Sequence, residues 1–218
     1  MKNKLTRSVY FSTALLTAFA MWTVLVCTVD KKAIGPQGSV VGFASLNSLV
    51  RNAIGVNFGL YTVTDWLGLV PIGFMFAFAI LGLVQWIKRK KLLTVDADIL
   101  LLGGFYLLLA TVYLLFEIFT VNYRPTLING ILEASYPSST TLLTACVMPT
   151  TAMILNKRTK RRPVRQFTAA ACTLFTAFMV IGRLFSGVHW FSDIVGGLLF
   201  SVGFVLLFKN MSSIVSKQ

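Results

Sequence analysis

The sequence predicts an all-α, polytopic bundle of six transmembrane helices, with an interfacial helix between spans one and two and a single integral membrane domain over residues 1–218. Three observations predict it. Hydrophobic residues make up 56% of the chain and charged ones only 12%, a balance suited to lipid as the solvent. Several apolar runs approach or exceed the roughly 18 to 20 residues that cross a bilayer. The charge is also polarised along the chain: with alternate connections on opposite sides, all of the +13 excess falls on one side.

The spans are expected at residues 9–29, 66–87, 99–121, 141–155, 167–185 and 192–208. The first has a basic start like a secretory signal. Its apolar stretch is too long for one and no small-residue cleavage site follows, so a retained anchor is expected. Val26 before Cys27 argues against lipoprotein processing. After it, Gly35-Pro36-Gln37-Gly38 reads as a turn. Phe43, Leu46, Leu49, Val50 and Ile54 then recur at helical spacing, with Asn47, Arg51 and Asn52 between them. This pattern predicts a helix at the membrane surface that either caps a site or simply covers the bundle. Pro71 and Pro149 fall inside spans, where neighbouring helices tolerate them. Trp66, Trp86 and Trp190 read as interfacial anchors. Cys27, Cys146 and Cys172 show neither metal-ligand nor disulfide spacing and read as small buried residues.

Topology follows from the basic residues. Lys2, Lys4 and Arg7, the run Lys88 to Lys91, the cluster Lys157 to Arg165, and Lys209 and Lys217 share the inner side, which makes both termini cytoplasmic. The outer connections balance: Lys31, Lys32, Arg51, Arg124 and Arg183 face Asp30, Asp65, Glu117, Glu133 and Asp193. Net charge placed in this way excludes nucleic acid as a partner and points to membrane lipids.

Function concentrates in Gly182 to Asp193. His189 is the only histidine of the chain; an arginine lies six residues before it and an aspartate four after. Ionisable groups at membrane depth are costly, so this grouping marks a site. Four-residue spacing puts His189 and Asp193 on one face if the stretch is helical, and the carboxylate then orients the imidazole. The connection from Asn122 to Thr140 adds Arg124 before Pro125, and Pro137-Ser138-Ser139-Thr140 opens the fourth span. Hydroxyls and free N–H groups at a helix start suit an anion, although capping alone also explains them. Two arginines and that helix start fit a phosphate, and the histidine fits phosphoryl transfer as base or nucleophile. One histidine and scattered carboxylates provide no metal-ligand set, and no cofactor is expected.

These residues resemble the type 2 phosphatidic acid phosphatases, six-helix membrane enzymes also called lipid phosphate phosphatases. Their motifs are Lys, six residues, Arg-Pro; Pro-Ser-Gly-His; and Ser-Arg, five residues, His, three residues, Asp. The order and spacing match from Glu117 to Asp193. The resemblance implies that His189 is the nucleophile and Asp193 its orienting partner. Arg124 and Arg183 would clamp phosphate and Ser138 would bind it through its hydroxyl; Ser139 and Thr140 join the phosphate-binding candidates by their place at the helix start. The substrate would be a lipid phosphate or a polyprenyl diphosphate at the outer face of a bacterial plasma membrane. Glu117 replaces the family lysine, Thr140 the second histidine and Gly182 the serine.

A threonine hydroxyl is no acid near neutral pH, and loss of general-acid help typically costs about 10²- to 10⁴-fold. A departing phosphate needs protonation far less than an alkoxide, so the departures favour a diphosphate substrate. Glu117 either supplies a proton, as Glu133 would in its place, or holds Arg124 in an ion pair across two helical turns. The rivals are a lipid phosphotransferase, a non-catalytic lipid-phosphate binder, and a transporter. For the last, polar residues near mid-span or paired broken helices are expected, and neither is evident.

Overall fold

A computed structural model describes residues 2–215, with side chains described from Leu5 onward; Lys217 lies outside the described residues, as do the side chains of Lys2 and Lys4. The described residues form eight α-helices: α1 (Lys2–Thr28), α2 (Ala44–Ile54), α3 (Phe58–Leu67), α4 (Leu69–Arg89), α5 (Ala97–Ile118), α6 (Ser139–Arg158), α7 (Arg162–Ser186) and α8 (Phe191–Val215).

Five stretches are long and apolar enough to cross a membrane: Leu5–Thr28, Phe58–Arg89, Ala97–Ile118, Arg162–Ser186 and Phe191–Val215. The remaining long helix, α6, corresponds to the expected fourth span and falls short on composition. The reason is its threonines, Thr140, Thr141, Thr144, Thr150 and Thr151, all of which are buried. α6 packs against α4, α5, α7 and α8 and meets protein rather than lipid along most of its length. Polar side chains survive there by local bonding. Thr150 Oγ1 bonds the Cys146 carbonyl at 2.8 Å and pairs with the Tyr106 hydroxyl at 3.0 Å.

The second span begins earlier than residue 66. α3 and α4 run on from Phe58 to Arg89 with a break at Gly68, whose N–H bonds the carbonyls of Thr64 and Asp65. Pro71 lies in the first turn of α4, where its missing N–H costs no helical bond. The break lets α3 lean on α7 while α4 packs on α5 and α6.

The core lies between α5, α6 and α8. Leu102, Leu109, Leu142, Val147 and Phe208 are fully buried, and Phe105 meets Phe204 at 4.7 Å and Phe208 at 5.2 Å between ring centroids. Cys146 and Cys172 are buried as expected, whereas Cys27 is exposed. At the basic end, Lys157 bonds Asp98 at 3.0 Å, and Asp96 pairs with Arg89 and Arg158 at 3.0 Å each. The functional side chains gather at the other end.

Candidate active site

The connection between α5 and α6 is a compact hairpin rather than an open loop. Arg124 N–H donates to the Glu133 carbonyl at 3.0 Å, Ser135 N–H to Asn122 at 2.9 Å and Ile131 N–H to Ile128 at 2.9 Å. Its tip is Asn129-Gly130, at φ 51° and 78°. Two consecutive positive φ values are what a tight type I′ hairpin turn demands, and Asn-Gly is the dipeptide that supplies them most cheaply. The hairpin carries Arg124 on one arm and Ser135 on the other, and sets both against His189.

His189 sits in the short link between α7 and α8. Gly187, at φ 67°, ends α7 in the left-handed conformation. A side chain there would meet the Gly55 carbonyl at 2.2 Å, so the chain passes the α2–α3 connection closely enough to require glycine. Because α8 starts at Phe191, His189 and Asp193 do not share a helical face, and the sequence expectation of a direct bond between them is corrected. His189 Nδ1 lies 3.9 Å from Asp193 Oδ2. Ser135 fills the gap: its Oγ is 3.0 Å from Nδ1 and donates to Asp193 Oδ2 at 2.5 Å.

On the other side of the ring, Arg124 Nη1 donates to His189 Nε2 at 3.2 Å. A guanidinium only donates, so Nε2 must accept and the ring proton sits on Nδ1, facing Ser135. The ring nitrogen that carries the lone pair thus faces the arginine. Burial, then the charges of Arg124 and Arg183, hold the His189 pKa well below its usual 6.5, so the imidazole is neutral at physiological pH.

Asp193 is completely buried and fully used. Besides Ser135 it accepts from the Trp190 N–H at 2.9 Å, Asn122 Nδ2 at 3.3 Å and Ser192 Oγ at 3.4 Å. Part of its work is capping, since an acid in the first turn of a helix satisfies free N–H groups.

The two expected phosphate arginines are both present and buried. The carboxylate 2.9 Å from Arg124 Nε belongs to Glu133. Glu117, the sequence candidate for that ion pair, instead lines a small cavity of about 10 Å³ with Tyr113, Ser135, Ser139 and His189. Arg183 bonds Thr64 Oγ1 at 3.3 Å and Asp65 at 3.2 Å, and lies 5.1 Å over the Tyr61 ring. Gly182 makes this contact possible: a Cβ at that position would meet the Thr64 methyl at 2.7 Å.

Ser138 caps α6, its N–H donating to the Asp193 carbonyl at 3.2 Å, and its buried Oγ has no hydrogen-bond partner among the described residues. Ser139 and Thr140 form the first turn, where helix N–H groups remain free. Thr140 sits beside the Gly68 break, 3.6 Å from where a Cβ of that glycine would lie.

α2 is a helix as its periodicity predicts, and it is locked to the site. Asn47 is buried; its Nδ2 donates to the Gly42 carbonyl at 2.8 Å and Ser192 Oγ at 3.0 Å, while its Oδ1 accepts from the Ser192 N–H at 3.0 Å. Trp190, expected as an interfacial anchor, is only 2% exposed because its indole is spent inside the site, donating to the Tyr123 carbonyl at 2.8 Å. Trp66 and Trp86 are exposed.

The sequence reading missed Ser135, Asn122 and Asp65 as site residues. Asn129-Gly130 was the available signal for the first two, since a hairpin there folds Ser135 and Asn122 back together. Nothing in the sequence pairs Asp65 with Arg183, which are 118 positions apart.

A neutral, oriented imidazole stands beside two carboxylate-paired arginines at one end of a bundle of membrane-length helices, an arrangement with the chemistry to bind a phosphate. Residues 115–215, slightly less than half of the chain, match the model of the PAP2 superfamily. A solved structure described as the first transmembrane PAP2-type phosphatidylglycerolphosphate phosphatase from Bacillus subtilis shares its fold, with a TM-score of 0.56 and 20% identity over 94% of this chain and 97% of that one. No curated protein matches the chain. The superfamily match over residues 115–215 supports a phosphatase.

Proposed function

We propose that the protein removes phosphate from a lipid phosphate or diphosphate through a histidine nucleophile at the outer membrane face. The observation that carries this reading is the polarity of His189: its proton points to Ser135 and Asp193, and its lone pair lies 3.2 Å from Arg124. A phosphate drawn between Arg124, Arg183 and the start of α6 would stand in front of Nε2. Attack forms a nitrogen–phosphorus bond as the bond from phosphorus to the lipid-side oxygen breaks, the electron pair leaving on that oxygen; the positive charge placed on the ring is stabilised by the Ser135–Asp193 relay. Water then cleaves the phosphohistidine and restores the imidazole.

The lipid chain has a place as well. An apolar groove of about 760 Å³ runs between α4 and α5, with Gly82, Gly103 and Gly104 among its lining residues. Tyr113 lines both this groove and the small cavity beside His189, so a chain in the groove would lead its headgroup to the site. The buried α6 completes six spans in this reading, α2 lies at the interface, and the basic end faces the cytoplasm by the positive-inside rule.

The test is phosphate release by purified protein from phosphatidic acid, phosphatidylglycerophosphate and a polyprenyl diphosphate, with His189→Ala in parallel. Release from at least one lipid that vanishes in the variant is expected. Release that survives in His189→Ala contradicts the nucleophile, and a folded protein that releases none contradicts the phosphatase in favour of a binder or transferase.

A further inference from the structure

Three arginines surround His189, and they are not equivalent. Arg124 pairs with Glu133 and Arg183 with Asp65. Arg51, from α2, has no carboxylate partner among the described residues. Its guanidinium donates to two neutral acceptors, the Pro125 carbonyl and Thr126 Oγ1, the latter at 3.1 Å, and lies 5.5 Å over the Trp190 ring. It is half-buried, so water compensates its charge only in part. A partly desolvated cation with neutral neighbours retains an electrostatic demand that an anion satisfies.

The position of Arg51 says which anion. A second small cavity is bordered by Asn47, Arg51, Gly55, Gly187, His189 and Phe191. It differs from the one that Glu117, Ser135 and Ser139 line, and His189 is the residue common to both. An anion held by Arg51 therefore lies beside the imidazole but apart from the α6 start. Resting on the phosphatase reading above, we propose that Arg51 is a specificity-determining residue that holds the departing phosphate of a lipid diphosphate.

In that reaction His189 Nε2 attacks the terminal phosphorus. The nitrogen–phosphorus bond forms as the bond from that phosphorus to the bridging oxygen breaks, and the electron pair leaves on the bridging oxygen of the lipid monophosphate, against Arg51. Water next attacks the phosphohistidine, the nitrogen–phosphorus bond breaks, and inorganic phosphate and one proton are released. No acid is needed at position 140, because the leaving oxygen already belongs to a phosphate. The surplus cation at Arg51 and the threonine at Thr140 thus describe one substrate.

The experiment measures kcat/KM of the purified full chain, Arg51→Gln and Arg51→Lys on a polyprenyl diphosphate and on the monophosphate of the same chain length, after matched gel-filtration profiles. The expected result is a diphosphate preference of about tenfold or more in the parent. Arg51→Gln should lower diphosphate turnover by about 10- to 100-fold, as loss of a charge-assisted bond does, with monophosphate turnover within about threefold, and Arg51→Lys should keep part of the preference. Equal loss on both substrates reduces Arg51 to a tether for the Pro125 loop and overturns the proposal, as does an unchanged preference in Arg51→Gln or no preference in the parent. A parent that cleaves neither overturns the phosphatase reading itself, and the Arg51 role with it.

Discussion

Ser135 separates the histidine from its aspartate, and that one hydroxyl decides how the imidazole is held. With Nδ1 and Asp193 Oδ2 3.9 Å apart, no direct bond joins them; Arg124 at Nε2 sets the tautomer, and the relay through Oγ links the Nδ1 proton to the carboxylate. Ser135→Ala should lower kcat by about 10- to 100-fold, the usual cost of losing a hydrogen bond to a charged group, with little change in KM. A variant at parental kcat would show that the backbone carbonyl of Ser135, 3.2 Å from Nδ1, orients the ring alone. The same site fixes a pH dependence. His189 is held below its usual 6.5 by burial and two arginines, so it stays unprotonated in the folded protein as the medium is acidified. The unfolded chain takes up that proton near pH 6.5 and the folded one does not; the His189 contribution to stability is therefore complete above pH 6.5 and is lost as pH falls below it. In the pH profile of kcat/KM, the limb belonging to His189 should lie below 6.5, and a histidine limb at or above 6.5 would contradict this environment.

At the scale of elements, the site depends on α3 reaching α7 and on the hairpin folding back. Gly182 permits the first. Gly182→Ser would place a Cβ 2.7 Å from the Thr64 methyl, and overpacking of this kind costs about 1–3 kcal/mol. A lower Tm and weaker turnover are expected, with recovery when Thr64→Ala is added; an unchanged Tm would show that α3 yields without cost. The sequence departure at position 182 is thereby explained as a packing choice coupled to Thr64.

Element existence was legible in the sequence to the extent that lipid solvation leaves a pattern. Helices that face lipid announce themselves by composition, and the periodicity of Phe43 to Ile54 announced α2. The start at Phe58 was not legible, because Thr64 and Asp65 interrupt the apolar run for the sake of their contacts with Arg183 of α7. The site was legible where one residue carries its own chemistry, as at His189, Arg124 and Arg183. It was hidden where the chemistry is relational: the choice of Glu133 over Glu117 as partner of Arg124 depends on hairpin register, which the spacing of seven between Glu117 and Arg124 does not encode.

Over the whole molecule, polar and apolar work are divided between two ends and a middle. Asp96, Asp98, Arg89, Lys157 and Arg158 tie the basic end, the aromatic core fills the centre, and the buried α6 carries five threonines among its protein contacts. At the far end Arg124 and Arg183 have carboxylate partners, whereas the half-buried Arg51 has none among the described residues and is the proposed contact for a departing phosphate. An apolar groove between α4 and α5 shares Tyr113 with the small cavity beside His189, and in the proposed reaction it would lead a lipid from the bilayer to that residue. The central claim is covalent: phosphate passes through His189. Its most direct test is rapid acid-free quenching of the purified protein during turnover of a lipid diphosphate, followed by mass spectrometry of the peptide containing residues 184–193. The account predicts a peptide heavier by one phosphoryl group, with the group on His189 and lost on acid treatment. Sustained turnover with no phosphohistidine at any quench time, and with His189→Asn still active, would contradict it.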